Sequence, residues 1–548
     1  MSYFVTGTEA LREEFDRRVT QPLAELSQRR KVIVLLSVGL ISGIEIANRI
    51  SINVLLPDLQ GNVAGSSDDV SWVLILYNLG FLCSLALSYW MTRVLGARRH
   101  LLLSAALYSV GAIGCFLSAR SLTLLLISRV IMGFGGGAFL VRAVILAGLM
   151  FPGKARVRAV FWIFLEVVLF EVFYPVAMGW ISDTIHWNYA FLLDFPFLTV
   201  GAFLIWKYVP PGILYTRGEK SYIDLWGAGM LIAALACLQV ALSRGERDEW
   251  FQSSFIVSFL FVALVCLAGF LWWDWRPENP APVLHLRTIW RQVPLRASIA
   301  IVTIVGSMLG AGLFVLPQYL RTVQDYSATQ TGGFVSAYTL GLGTGVLISL
   351  RYLLVRLGGA RMVALGALIM CGACTSFIYI WTPTTPSWIL ALATFLQGMA
   401  LGPMLSGASN VATSQAALAD LDDVATSFYF VRQLGNTFGI TAATVMFDHR
   451  MTLHSSRLVD VANALDPTLQ STLSQYSSLI ERNGGAGSNP VLGAVQIFQS
   501  NVITQSRVLS YIDIYFGLAV LSVAILCLII AGRPKRAPLP LRPHFHLW

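Results

Sequence analysis

The sequence predicts an all-α integral membrane protein of fourteen transmembrane helices. Three observations predict it. The 548 residues are 56% hydrophobic and only 12% charged, about half the charged fraction of a soluble domain. Apolar runs of about twenty residues, each long enough to cross a bilayer, recur along the chain. The Lys and Arg residues between those runs gather on one side of the implied membrane.

In chain order, residues 1–30 carry Leu11, Phe15, Val19 and Leu23 at helical spacing. They read as an amphipathic helix on the cytoplasmic membrane surface. They are polar, and the first apolar run ends without a small-residue cleavage site, so no cleaved leader is expected. The fourteen expected spans are 32–57, 70–92, 100–118, 122–150, 157–182, 189–208, 224–243, 252–273, 294–320, 331–356, 362–381, 387–415, 421–447 and 509–532. The basic residues then favour both termini on the cytoplasmic side. Arg120, Arg244, Arg247, Arg321, Arg450, Arg457, Arg482 and Arg507 fall on the other side, and the inner loop 416–420 has none. The net charge of +9 is therefore a topology signal and implies no nucleic-acid partner.

Span 1 carries Ser42, Glu45, Arg49 and Asn53 at helical spacing, with Asn48 beside them. This puts one polar stripe on an apolar helix. Glu45 and Arg49, four apart, share a face. They form either a static ion pair or a titratable pair lining a cavity. Span 4 carries Arg129 and Arg142 as candidate charge partners. Its Gly133, Gly135, Gly136 and Gly137 suit close helix packing. A phosphate loop is excluded there, since no strand precedes the glycines and no Lys-Ser/Thr follows.

Span 5 carries two acids, Glu166 and Glu171, inside an apolar run. A carboxylate at that depth is a functional-site hypothesis by default. Arg142 and Glu166 lie at similar depth, so that a pair across adjacent helices is within reach. Glu171, Pro175 and Gly179 share a face directed at packing or at a cavity. Span 13 carries Arg432, Gln433 and Asn436 near mid-membrane, one turn from Tyr429, as a cavity wall. Asp194 and Asp513 read as caps or hydrogen-bonding groups. Segment 448–508 is polar and includes an amphipathic helix with Leu469, Leu473, Tyr476 and Ile480. It serves either to dock an outer partner or to cap its own bundle.

The seven cysteines all fall in apolar runs and suggest no disulfide framework. No membrane histidine, G-x-S-x-G or Walker motif occurs, so neither an enzyme nor a metal or cofactor site is expected.

Six stretches in order resemble one family. Ala47–Pro57, ANRISINVLLP, is similar to LDxTIVNVALP; Arg129–Gly137, RVIMGFGGG, to R-x-x-x-G-x-G; and Trp187–Pro196, WNYAFLLDFP, to WRWIFLINVP. Leu316–Ala328, Arg432–Ile440 and Gln505–Asp513 resemble LPLYLQxVxGYSA, RQLGGSLGV and QAxxLAYxD. Together they resemble the fourteen-span drug:proton antiporters of the EmrB/QacA type within the major facilitator superfamily.

That resemblance implies the major facilitator fold. Two six-helix bundles would cover 31–209 and 291–532, with spans 7 and 8 inserted in linker 210–290 and a cytoplasmic tail at 533–548. It implies alternating access around a midplane site. It also implies proton-coupled export of lipophilic compounds across the inner membrane, with an EmrA-like periplasmic adaptor and an outer-membrane channel as partners. Glu45, Glu166 and Glu171 are then the proton-coupling candidates. Asn48, Arg49, Asn53, Arg432, Gln433 and Asn436 are the cavity candidates, and Gly133, Pro175 and Gly179 the gating and packing residues. The chain departs from the family pattern at three places. Asn48 stands where the span-1 acid lies, Tyr174–Gly179 reads YPVAMG for GPxxGG, and Arg93 takes an aspartate position. The alternatives are an exporter of one metabolite, siderophore or fatty acid, and a non-transporting membrane receptor or assembly subunit.

Overall fold

A computed structural model describes residues 26–63, 67–151, 154–211, 224–245, 248–276, 293–413, 421–461, 467–482 and 489–531, with single positions 23, 213, 279 and 283. Of the amphipathic stretch 9–30, residues 9–22, 24 and 25 fall outside these residues, as does the whole tail 533–548.

Every long element among the described residues is a helix. The first group is α1 (Gln28–Val63), α2 (Ser67–Leu95), α3 (Ala97–Leu117), α4 (Leu122–Gly136), α5 (Phe139–Met150), α6 (Lys154–Thr184) and α7 (Asp194–Tyr208). A hairpin of α8 (Leu225–Arg244) and α9 (Ser254–Asp274) follows. The second group is α10 (Val293–Thr322), α11 (Ala328–Ile348), the short α12 (Leu354–Leu357), α13 (Gly359–Ile380), α14 (Ser387–Thr413), α15 (Leu421–Val461), α16 (Pro467–Arg482) and α17 (Pro490–Ala531). Hydrocarbon cannot hydrogen-bond a backbone, which is why each crossing segment closes its bonds within itself.

Twelve stretches among the described residues are long and apolar enough to cross a membrane, and a shorter apolar stretch, Trp72–Ser88, lies in α2. The expected span 421–447 is helical, within α15, but is not among the twelve. Arg432, Gln433 and Asn436 lower its hydropathy.

The two groups pack internally, α1 on α6 and α7 in the first, α10 on α15 and α11 on α14 in the second. They meet along α6–α11, with further contacts of α1 with α10 and α2 with α15. The α8–α9 hairpin rests on α2 and touches α15, where Gln239 Nε2 donates to Thr441 Oγ1 at 2.9 Å.

Span 4 is split. Its helix stops at Gly136 and resumes at Phe139. A β-carbon on Gly133 would strike the Tyr77 carbonyl of α2, and one on Gly135 would strike α3 at Tyr108. Glycine lets this helix wedge between two backbones.

Segment 448–508 differs from expectation. The amphipathic helix is present as α16, but α15 and α17 do not stop at the membrane boundary. They run 41 and 42 residues, about 60 Å each, twice the bilayer core. Hydropathy marks where a span leaves hydrocarbon and says nothing of where its helix ends. Near the exit, His454 Nε2 lies 2.8 Å from Asp513 Oδ2 and Arg450 Nε 3.5 Å from the same oxygen.

Candidate functional site

A cavity of about 310 Å³ lies between the two groups. Its wall is mainly apolar, with Ile46, Ile50, Val167, Leu309, Leu342 and Val346 among its residues. Arg49, Asn53, Asn78, Arg129, Glu171, Arg432 and Asn436 supply its polar part. The lining continues through Val160 of α6, Leu350 and Leu354 beside α12, and Asn410 of α14. These residues lie toward the α1 N-terminal end.

The opposite end is shut. Asp58 of α1 pairs with Arg321 of α10 and accepts from Ser182 Oγ of α6 at 2.7 Å. Asp183 of α6 accepts from the Thr329 backbone N–H at 2.8 Å and from the Ala328 N–H at 3.1 Å. A carboxylate from one group thus caps the first turn of α11 in the other, where free N–H groups and the helix dipole favour an anion. Gly179 abuts the Ala328 carbonyl, and Gly332 abuts the Pro175 carbonyl. Backbones touch there because neither glycine has a side chain to hold them apart.

One turn or more deeper on the same face of α6, Glu171 lines the cavity with 6% of its surface exposed. Arg49 and Arg432 line the same cavity. The expected face of Glu171, Pro175 and Gly179 is thus divided: cavity at Glu171, packing against α11 at the other two.

Glu45 is 1% exposed and accepts from Arg49 Nε at 3.1 Å and from Tyr77 OH at 2.8 Å. A β-carbon on Gly136 would meet both Glu45 and the Tyr77 hydroxyl, so the span-4 glycine makes room for this carboxyl. Arg49 also donates through Nη1 to Gln433 Oε1 at 2.6 Å, and Gln433 Nε2 donates to Asn78 Oδ1 at 2.8 Å. Glu45, Arg49, Gln433 and Asn78 therefore form one chain of polar groups from α1 through α15 to α2.

Asn48 belongs to a second network. It donates to Asp194 Oδ2 at 2.9 Å and accepts from Arg129 Nη1 at 3.4 Å, while Tyr174 OH donates to Asp194 Oδ1 at 2.8 Å. Asp194, fully buried at the start of α7, is the acid of this network. Arg129 also lies 4.2 Å from the Tyr77 ring centroid, a cation–π contact.

One grouping differs from the sequence reading. Arg142 does not pair with Glu166; its Nε and Nη2 donate to Ser88 Oγ at 3.2 and 3.0 Å. Glu166 is not among the cavity residues. Its Oε2 is buried without a hydrogen-bond partner among the described residues, in the notch left by Gly39 of α1. Equal depth does not make equal azimuth, and the two side chains leave their helices in different directions. Arg432 keeps its cavity position, 5.4 Å from the Tyr429 ring centroid, with Nε lacking a hydrogen-bond partner among the described residues.

Sequence reading missed Tyr77 and Asn78, two adjacent polar residues in the apolar middle of α2. It also missed Ser406, Ser409 and Asn410, which line the cavity from α14. Their i, i+3, i+4 spacing was a usable signal.

The family pattern of the Major Facilitator Superfamily matches residues 38–440. The chain is 26% identical over 460 residues to the multidrug export protein EmrB of Haemophilus influenzae, covering 81% of this chain and 86% of that protein. It is 23% identical over 508 residues to the fatty acid resistance protein FarB of Neisseria gonorrhoeae, covering 91% and 96%. Among solved structures, a peptide transporter POT in complex with sulfate superposes with a TM-score of 0.62 at 15% identity, covering 95% of this chain and 98% of that one. A bacterial homolog of the human lysosomal transporter Spinster gives 0.57 at 15% identity, covering 93% and 100%. The likeness of fold, the membrane-spanning helices and the family match over most of the chain lead to one conclusion: the chain belongs to the Major Facilitator Superfamily, as an integral membrane transporter.

Proposed function

We propose that the protein exports hydrophobic toxic compounds across the cytoplasmic membrane in exchange for protons, by alternating access. The observation that carries the reading is Glu171. It is a carboxyl in the wall of a largely apolar cavity, on the α6 face that packs against α11 at the shut end. An acid shared by cavity and moving seam can exchange a proton for substrate while the seam opens and closes. Glu45, paired with Arg49, is the second proton-site candidate. Similarity to EmrB supports the substrate class. The basic residues favour both termini in the cytoplasm, so the cavity faces inward here. Sealed liposomes with an imposed pH gradient test this: substrate accumulates only while the gradient lasts, and Glu171→Gln removes the coupling.

A second reading has its own observation. Arg432 presents a guanidinium beside the cavity whose Nε has no hydrogen-bond partner among the described residues, and FarB is a fatty acid resistance protein. A lipophilic carboxylate, tail on the apolar wall and head on Arg432, suits that geometry. Competition by long-chain acids against fluorescent cations separates the two.

The long helices α15 and α17, with α16 folded on α17, extend beyond the span. They support the tripartite reading, in which an EmrA-like adaptor and an outer-membrane channel complete the export path. Co-purification with an adaptor, lost on deleting 466–500, tests it.

A further inference from the structure

In the first group one deep phenol, that of Tyr77, finds a carboxylate. Its counterpart in the second group, Tyr338, has none among the described residues. Gly398 of α14 stands to Tyr338 of α11 as Gly133 of α4 stands to Tyr77 of α2: a β-carbon on either glycine would strike the tyrosine carbonyl. Tyr77 OH donates to Glu45. Tyr338 OH has no hydrogen-bond partner among the described residues, nor do Gln397 Nε2, Gln397 Oε1 and Tyr515 OH. All three side chains are 0% exposed.

Two of these atoms converge. A point at the β-position of Gly312 in α10 lies 3.0 Å from Gln397 Nε2 and 3.1 Å from Tyr338 OH. The two atoms are therefore no farther apart than about 6 Å, the reach of one bridging water. Tyr515 of α17 lies against the Gln397 side chain, and Cys374 lies near both tyrosines. The cavity lies elsewhere on α10: Leu309, Gly310 and Leu313 line it, whereas Gly312, Gln397, Tyr338 and Tyr515 do not.

Tyr338 OH and Gln397 Nε2 meet beside Gly312, and Tyr515 lies against the same amide. An unmet donor or acceptor in the interior costs its whole desolvation, and a buried water needs two to four polar partners. The lining is two phenols and one amide, all neutral. It has donors and acceptors in balance and no carboxylate to hold a cation. We propose that the core of the second bundle binds structural water, held by Gln397, Tyr338 and Tyr515 behind Gly312 and apart from the transport cavity. The water replaces the carboxylate that Tyr77 finds in the first bundle, and joins α11, α14 and α17 across the gap beside α10.

X-ray radiolysis tests this on the full chain in nanodiscs, because hydroxyl radicals formed from a bound water oxidise the side chains that hold it. Tyr174 is the control, equally buried but with its hydroxyl already bonded to Asp194. Tyr338 and Tyr515 are expected to oxidise several-fold faster than Tyr174 in the unaltered protein. Gly312→Ala, which fills the space, and Gln397→Leu, which removes an anchor, should each lower Tyr338 oxidation several-fold. Oxidation of Tyr338 and Tyr515 no faster than of Tyr174 in the unaltered protein overturns the proposal, whether or not either variant folds. Rates unchanged by both folded variants overturn it as well.

Discussion

Arg49 of α1 donates through Nη1 to Gln433 Oε1 of α15 at 2.6 Å, and so fastens one helix bundle to the other at cavity depth. Arg49 already has a carboxylate, Glu45, at 3.1 Å. The guanidinium is thus shared between its own helix and the opposite bundle. Any motion that separates α1 from α15 must break the longer-range half of that sharing.

Gln433→Leu should therefore favour the conformation in which these helices part. It removes a charge-assisted bond worth about 2 kcal/mol, roughly a 30-fold change in a two-state ratio. Pulsed electron-spin distances between labels at the ends of α1 and α10 would read the populations. An unchanged distribution means the bond survives in both conformations.

Arg321→Gln should loosen the shut end. The ion pair with Asp58 is partly exposed, at 14% and 23% of the two side chains, so solvent screens it and its worth is roughly 1 kcal/mol. Thiol reagents should reach a cysteine introduced at Ser182 about fivefold faster. Equal labelling rates would assign the closure to the Asp183 cap on α11 instead.

Gly332→Leu should act more strongly at the same seam. Its β-carbon meets the Pro175 carbonyl, a backbone atom that cannot swing aside. Overpacking of this kind costs about 1–3 kcal/mol, all charged to the conformation closed at this end. Turnover should fall at least several-fold, while equilibrium binding of a fluorescent substrate persists. Unaltered turnover would mean that the α6–α11 contact is not required in the cycle.

The two span-5 acids should behave differently. Glu171 lines the cavity, while Glu166 lies in the Gly39 notch outside it. Glu166→Gln should leave substrate flux within about twofold of the unaltered protein, since a carboxyl without a charge partner loses little on becoming an amide. A Glu166→Gln protein as defective as Glu171→Gln would place the proton path on the α1–α6 seam.

What was legible in the sequence lay along single helices. The Glu45–Arg49 pair, the face of Glu171, Pro175 and Gly179, and the group Arg432, Gln433 and Asn436 each follow from the helical repeat alone. Contacts between helices were not legible in the same way. Depth can be counted from a span's end, but rotation about its axis is set by packing. Arg142 therefore reached Ser88 and not Glu166, and Asn48 reached Asp194. Tyr77 and Asn78 made no repeating stripe. Asp58, Arg321 and Asp183 lie near span ends, where a charge ordinarily means only the membrane boundary. The helical continuations to Val461 and from Pro490 escaped because hydropathy measures partitioning, whereas a polar helix in water can keep its backbone bonds.

The most direct measurement is flux of a lipophilic substrate into sealed liposomes under an imposed pH gradient, comparing the unaltered protein with Glu171→Gln. Proton-coupled transport through this cavity predicts accumulation that a protonophore abolishes, and a variant that binds substrate but ignores the gradient. Accumulation by Glu171→Gln that matches the unaltered protein and still follows the gradient would contradict it.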